Sequence, residues 1–229
     1  MLLLALDTAT PAVTVALHDG SAVLAEAGHR DARRHAELLA PAIERVLAAA
    51  GATPADLTDV AVGTGPGPFT GLRVGLVTAR MTASALGLPL HGVSTLDALA
   101  AQALMDGTVA AREEFLVATD ARRREVYWAA YGSSVAASGG GALPERVDGP
   151  HVARAADVPR DGRRVVGRGA ELYAAELGPA VGPLDPSAAA LAGLVVRRLA
   201  RGDDLSDVEP RYLRRPDVHE SAGPKSVLG

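Results

Sequence analysis

The stretch LALDTATPAVTVAL, residues 4–17, decides the fold of this chain. An apolar run ends in Asp7-Thr8-Ala9-Thr10, which are turn-forming residues, and a second apolar run begins at Val13. This pattern predicts two β-strands joined by a turn with an acidic residue. Residues 22–27 predict a third strand, so the chain opens with a three-stranded meander.

The second half of the chain repeats this order of elements. With an offset of 113 residues and no gap, Asp7 falls on Asp120. Later, Val62-Gly63-Thr64-Gly65 falls on Val166-Gly167-Arg168-Gly169 at an offset of 104 residues. A hairpin with an aspartate turn, then a strand, a Gly-x-Gly turn and a helix therefore occur twice. We predict two similar α/β lobes that arose by duplication.

Length and composition limit the class of protein. The 229 residues are 48% hydrophobic, carry a formal net charge of −4 and include no cysteine. A disordered chain, a disulfide framework, a zinc ribbon and a thiol nucleophile are excluded. The mild acidity argues against this chain being the main contact of a nucleic acid, which requires a basic face. We expect residues 1–110 to form the first lobe and residues 111–229 the second lobe and a tail, loose from Pro216 onward.

The N-terminal apolar run is too short for a signal peptide or a membrane span. We therefore expect a cytoplasmic protein that does not contact a membrane. The six histidines include no pair spaced four residues apart, and neither HExxH nor Gly-x-Ser-x-Gly occurs. The sequence predicts no metal site and no catalytic residue.

The aspartate turn is a candidate phosphate motif. The Asp7 carboxylate could hold a metal–phosphate complex, and the hydroxyls of Thr8 and Thr10 could donate hydrogen bonds to phosphate oxygens. The alternative is that these side chains bond only to the backbone of their own turn. In this chain the motif could be a structural relic.

A glycine–proline string, VGTGPGPFTGLRVGL at residues 62–76, is the second candidate. Its glycines permit close approach of a backbone, and the helix start after them offers free amides to an anion. Two prolines remove N–H donors, and the spacing fits neither a Walker loop nor the dinucleotide fingerprint. The alternative is a rigid turn between a strand and a helix. The glycines of this candidate loop are Gly63, Gly65 and Gly67.

Two predicted helices, residues 34–50 and 70–86, carry apolar faces that a partner could contact. On the second helix, small residues spaced four apart share one face, which another helix could approach closely. The alternative is that this face packs against the protein's own sheet. The residues that we predict at a partner interface are Leu38, Leu39, Ile43, Gly71, Leu72, Gly75, Ala79 and Ala83.

These strings together resemble the TsaB family, the smaller subunit of the bacterial machinery that makes threonylcarbamoyladenosine in tRNA. The resemblance covers nearly the whole chain, and the glycine–proline string is its most specific part. Its other parts are the aspartate hairpin of residues 4–17, RHAELLAPAIERVL (34–47), STLDALA (94–100), TDARRREVYWAAY (119–131) and PRYLRRPD (210–217).

The resemblance implies two ribonuclease-H-like lobes of the actin and sugar-kinase kind, with mixed sheets flanked by helices and acidic hairpins facing each other. It also implies a subunit that is not an enzyme by itself and has no cofactor of its own, while ATP acts at the level of the complex. The implied partners are a TsaD-like catalytic subunit and a TsaE-like ATPase, with tRNA contacted only through the complex. A homodimer is expected when the chain is isolated.

The sequence departs from TsaD-type chains where the chemistry resides. Those chains carry a metal-binding His-x-x-x-His, and the corresponding residues 94–102 contain no histidine. The second lobe also has no counterpart of the PGPFTG segment. Two other functions stay open: a free-standing ATP-dependent phosphotransferase of the same fold and, with less support, a metallopeptidase.

Overall fold

Two five-stranded mixed sheets form the frame of the molecule. The computed structural model describes residues 1–135 and 141–214, so the tail predicted from Pro216 onward lies outside the described residues. The first sheet has its strands in the order 3-2-1-4-5, and strands 1 to 3 are antiparallel while strands 4 and 5 run parallel to strand 1. These strands are β1 (Leu3–Asp7), β2 (Ala12–His18), β3 (Val23–Arg30), β4 (Asp59–Gly63) and β5 (Leu90–Val93).

The second sheet repeats this topology. Its strand order is 10-9-6-7-8. Read from the opposite edge this is 8-7-6-9-10, which is the order of the first sheet with five added to each strand number. Strands 6 to 8 are again antiparallel, and strands 9 and 10 are again parallel additions. The strands are β6 (Phe115–Arg122), β7 (Glu125–Val135), β8 (Ala142–Arg154), β9 (Arg164–Val166) and β10 (Ala180–Val181).

Helices cover the outer face of each sheet. Alternate residues of β1, such as Leu4 and Leu6, pack under the first two helices of the chain in one apolar core. In the second sheet, Leu116 and Ala118 pack in the same way under two short helices. The outer helices are α1 (His35–Ala49) and α2 (Phe69–Leu86) on the first sheet, and α4 (Arg168–Leu172) and α5 (Ala174–Leu177) on the second.

Two further helices fill the layer between the sheets and are exchanged between the halves of the chain. Helix α3 (Thr95–Met105) follows β5 but packs on the second sheet, with Leu96 and Leu99 against Phe115. Helix α6 (Ala188–Ala200) packs on the first sheet. Each half therefore completes the core of the other.

The predicted fold class is confirmed: the chain forms two ribonuclease-H-like lobes related by duplication. The residue correspondence at an offset of 113 is wrong by an odd number of positions, however. It pairs Leu4, on the outer face of its sheet, with Val117, on the inner face of the other. Because side chains alternate along a strand, an odd shift moves every residue to the opposite face. The boundary near residue 110 stays a prediction.

The same shift separates the two aspartates. Asp7 points to the inner side, where it contacts the start of α3 through Thr95. Asp120 points to the outer side, where its charge adds to the effect of burial in raising the pKa of Tyr173. The two turns still have one type of hydrogen bond in common: in each, the aspartate Oδ1 accepts a hydrogen bond from the amide two residues later. The two carboxylates are therefore not structural counterparts.

The turn between β6 and β7 is strained. Arg122, Arg123 and Arg124 have φ values of 63°, 54° and 63°, a region that residues with a side chain rarely adopt. The left-handed conformation costs about 1–2 kcal/mol per non-glycine residue. This turn therefore stores strain that glycine would relieve.

We predict that Arg124→Gly stabilises the protein by about 1 kcal/mol, because glycine adopts a positive φ without penalty. Urea denaturation of the variant and of the wild type measures this difference. Arg124→Ala is the control, since it removes the same charge and keeps the strain, and we expect no gain from it. Equal stabilisation by both variants would assign the effect to charge and contradict the prediction.

Candidate functional site

The carboxylate of Asp7 is enclosed by the protein. The residue has no exposed surface; Oδ1 accepts a hydrogen bond from the amide of Ala9 at 2.7 Å, and Oδ2 accepts one from the hydroxyl of Thr95 at 2.7 Å. Burial raises the pKa of Asp7 to about 6, which outweighs the lowering by these hydrogen bonds. Both oxygens are thus used inside the fold.

The two threonines of the turn also bond to backbone. The Thr8 hydroxyl donates to the carbonyl of Gly71 at 2.7 Å and accepts from the amide of Gly75 at 2.9 Å, which ties the turn to α2. The Thr10 hydroxyl accepts from the amide of Ala12 at 3.2 Å. This geometry favours the structural-turn alternative, and phosphate binding stays a prediction. A cavity of about 390 Å³ beside the turn is lined by Thr8 and Thr10 but not by Asp7.

The glycine–proline string lies directly over this turn. Four glycines, spaced four residues apart from Gly63 to Gly75, face residues 7–9. A Cβ on any of them would lie less than 3 Å from the turn. The shortest distances are from Gly63 to Asp7 Oδ2 (1.8 Å), from Gly67 to the Ala9 carbonyl oxygen (2.0 Å), from Gly71 to the Thr8 carbonyl oxygen (2.7 Å) and from Gly75 to Thr8 Oγ1 (2.5 Å).

The middle glycine of the candidate loop, Gly65, serves a different purpose. Gly65 has a φ of +87°, so it permits a backbone conformation that a side chain would strain. Its amide donates to the Thr95 hydroxyl at 3.2 Å, the same hydroxyl that donates to Asp7. The loop, the aspartate turn and the start of α3 are therefore held as one unit.

Six of the eight residues predicted at a partner interface are buried within the lobe, and the interface itself stays a prediction. The small-residue face of α2 packs on its own sheet, because only glycine and alanine let the helix approach the Asp7 turn so closely. Leu38 and Ile43 remain half-buried at the edge. The buried members of the predicted set are Leu39, Gly71, Leu72, Gly75, Ala79 and Ala83.

The opposite side of α2 is apolar and exposed. Val77 and Met81 are 57% and 65% exposed and share one helix face because they are four residues apart. Val74, one helical turn before Val77, and Leu38 on α1, the helix that contacts α2, are half-buried against the same core. We call the surface formed by Leu38, Val74, Val77 and Met81 the α1–α2 face.

Sequence reasoning missed a strap that follows α6. The strap, residues 203–214, crosses the edge of β5, where the amide of Gly92 donates to the Leu205 carbonyl at 2.7 Å. It then reaches the start of α2, where the ring of Tyr212 stacks on Phe69 with a centroid distance of 4.4 Å. The PRYLRR string was the sequence signal that could have indicated the strap, since it places a proline and an aromatic residue after the last helix.

The comparisons with known proteins agree with this architecture. A family model described as "TsaD: tRNA N6-adenosine threonylcarbamoyltransferase" matches residues 23–206. An uncharacterized protein of Mycobacterium tuberculosis (strain ATCC 25618 / H37Rv) is 45% identical over 94% of this chain and 92% of its own length. A Pseudomonas aeruginosa structure, described as an uncharacterized protein with similarity to peptidase YEAZ, has a TM-score of 0.78 at 30% identity and covers 93% of this chain and 99% of that one.

A named relative is more distant. The Escherichia coli (strain K12) protein called "tRNA threonylcarbamoyladenosine biosynthesis protein TsaB" is 39% identical over 57% of this chain and 55% of its own length.

The fold places the chain among two-lobed proteins of the ribonuclease-H-like, actin and sugar-kinase class. Within that class, the chain belongs to the TsaD and TsaB (YeaZ)-like family. In the described part of the chain, no helix has the length and hydropathy required to cross a membrane.

We predict that Asp7→Asn is more stable than the wild type at pH 8, by up to about 3 kcal/mol, because it removes a buried charge. The pKa of Asp7 is about 6 in the fold and 3.8 when unperturbed, so the folded state favours the protonated acid. The wild type therefore loses stability as the pH rises from about 4 to about 6. Urea denaturation across this range should show the advantage of Asp7→Asn shrinking toward pH 4. A variant that is less stable at pH 8 would contradict this prediction.

We predict that Gly67→Ala destabilises the fold by about 3 kcal/mol or more, because the new Cβ collides with backbone that cannot move away. Thermal unfolding followed by circular dichroism measures the effect. Gly132→Ala is the matched control, since a Cβ there meets nothing within 4 Å. If both variants unfold at the wild-type temperature, the close contact between Gly67 and the backbone of Ala9 is contradicted.

Proposed function

We propose that this chain is a non-catalytic subunit that pairs with a TsaD-like catalytic subunit and supports the synthesis of threonylcarbamoyladenosine in tRNA. The description of the matching family model and the name of the Escherichia coli relative support this reaction. A TsaE-like ATPase would be the third member, ATP would act at the level of the complex, and tRNA would reach this chain only through the complex.

The α1–α2 face is the observation that carries the proposal. Val77 and Met81 stand out from α2 with more than half of their surface exposed. Arg73 and Arg80 flank them on the same helix and are also exposed, so an apolar centre has a polar rim. A protein–protein interface has this anatomy. In the isolated chain, the same face would pair two copies.

The closed Asp7 site supports a non-catalytic role. A phosphotransferase of this fold needs an acidic side chain that is open to a metal–phosphate complex, and the oxygens of Asp7 are used by Ala9 and Thr95. The metallopeptidase alternative needs a set of metal ligands. Across residues 1–135 and 141–214, no three histidine, aspartate or glutamate side chains are grouped closely enough to hold a metal ion.

We predict that the double variant Val77→Glu/Met81→Glu no longer forms a complex with the cognate TsaD-like subunit. Two like charges at the centre of an apolar interface are desolvated and cannot pair with each other, so affinity should fall by at least about 100-fold. Size-exclusion chromatography of the mixed proteins, with calorimetry for the affinity, measures the loss.

Val147→Glu is the matched control, because Val147 is an equally exposed valine (58%) that lies on β8 in the other lobe. We expect this variant to bind the partner normally. Normal binding by the double variant would place the interface elsewhere, and failure of the wild type to bind would contradict the proposed function itself.

A further inference from the structure

A second cavity, of about 670 Å³, lies between the two sheets, and none of its lining residues belongs to α1 or α2. Its walls come from the end of β5 and the start of α3, from β8, from the second half of α6 and from the strap. Cavities of this size hold small organic ligands. It is independent of the Asp7 turn and of the α1–α2 face.

Part of the wall is a closed ion-pair network. The carboxylate of Asp97 on α3 is 5% exposed and accepts two hydrogen bonds from Arg146 on its Oδ1 (2.6 and 3.1 Å) and one on its Oδ2 (2.7 Å). The Tyr131 hydroxyl donates to Oδ1 at 2.8 Å. Asp97 therefore has little capacity left for further donors.

Three other arginines, Arg198, Arg201 and Arg211, line the cavity and make only long contacts with acidic side chains. Arg198 lies 3.5 Å from Asp97 and from Asp203. Arg201 lies 3.7 Å from Asp203. Charge-assisted N–H to oxygen bonds are normally about 2.7–2.9 Å long, so these contacts leave the guanidinium donors largely unused.

Arg211 on the strap gives the clearest sign of a missing acceptor. Its guanidinium approaches Asp207 only to 3.9 Å, and its Nε is buried with no hydrogen-bond partner among the described residues. A buried donor without a partner costs about 1–3 kcal/mol. An acceptor supplied by a ligand would remove this cost.

Three further acids line the cavity. Glu145, Asp204 and Asp207 are exposed. Asp204 accepts the amide of Ser206 at 2.9 Å, and Asp207 accepts the amide of Glu209 at 3.0 Å, so part of their capacity is used by the strap's own backbone. The lining as a whole carries four arginines and five acids and is not basic, so an anion must be held by the loosely paired guanidinium groups and not by an excess of positive charge.

Apolar side chains complete the lining of the cavity. Val93, Leu143, Leu194 and Leu205 are all buried members of the core beneath it. We propose that the cavity binds a small organic anion, with a phosphate or carboxylate group held by Arg198, Arg201 and Arg211 and an apolar group on these residues. Neither the proposed subunit role nor the comparisons assign such a site.

Titration calorimetry of the full chain at low salt tests the proposal with phenyl phosphate and phenylacetate as separate probes and inorganic phosphate as a reference. We expect at least one organic anion to bind with a Kd below about 1 mM and more tightly than inorganic phosphate. Tighter binding of phenyl phosphate identifies an organic phosphate, and tighter binding of phenylacetate identifies a carboxylate.

Arg201→Gln and Arg211→Gln should each weaken the binding about tenfold, because each removes a charged donor. Arg201 is exposed and only loosely paired, so its variant keeps the fold even if that of Arg211 loosens the strap. Arg45→Gln, on the exposed surface of α1, is the matched control and should bind as the wild type does. The proposal is overturned if neither organic anion binds, or if Arg201→Gln binds as tightly as Arg45→Gln.

Discussion

The close crossing of two backbone segments is the constraint on which the first lobe depends. Glycines at every fourth position from Gly63 to Gly75 leave room for the turn of residues 7–9, which occupies the space where side chains would be. The polar side chains of this turn are hydrogen-bonded to the backbone of α2 and to Thr95. Because buried polar groups must be hydrogen-bonded, the aspartate and the glycines are required together. This interlocking explains the specificity of the glycine–proline string without any ligand.

The exchange of α3 and α6 makes the two lobes one folding unit. Each helix is buried on the sheet of the other half, and Asp97 of α3 bonds to Tyr131 and Arg146 of the second sheet. Neither half has a complete core by itself. The same exchange creates the cavity between the sheets, because the strap that follows α6 must return across β5 to reach the start of α2.

The residues predicted at a partner interface show what a helix pattern leaves open. Small residues four apart on α2 define one face, but the pattern is the same whether that face meets another subunit or the helix's own sheet. Only the position of the Asp7 turn, directly under Gly71 and Gly75, decides between these alternatives. The exposed face with Val77 and Met81 carries no such pattern and could not be selected from the sequence.

By itself, the sequence determined the repeated hairpin, the order of elements and the two-lobed class, because these depend on local hydrophobic pattern and on turn residues. The resemblance of its motifs indicated the family. Tertiary structure decided the rest. The placement of Asp7 inside and Asp120 outside, the exchange of helices and the buried Nε of Arg211 that lacks an acceptor all depend on contacts between residues far apart in the chain. Local pattern does not encode which faces meet, since that is decided by the packing of the whole molecule.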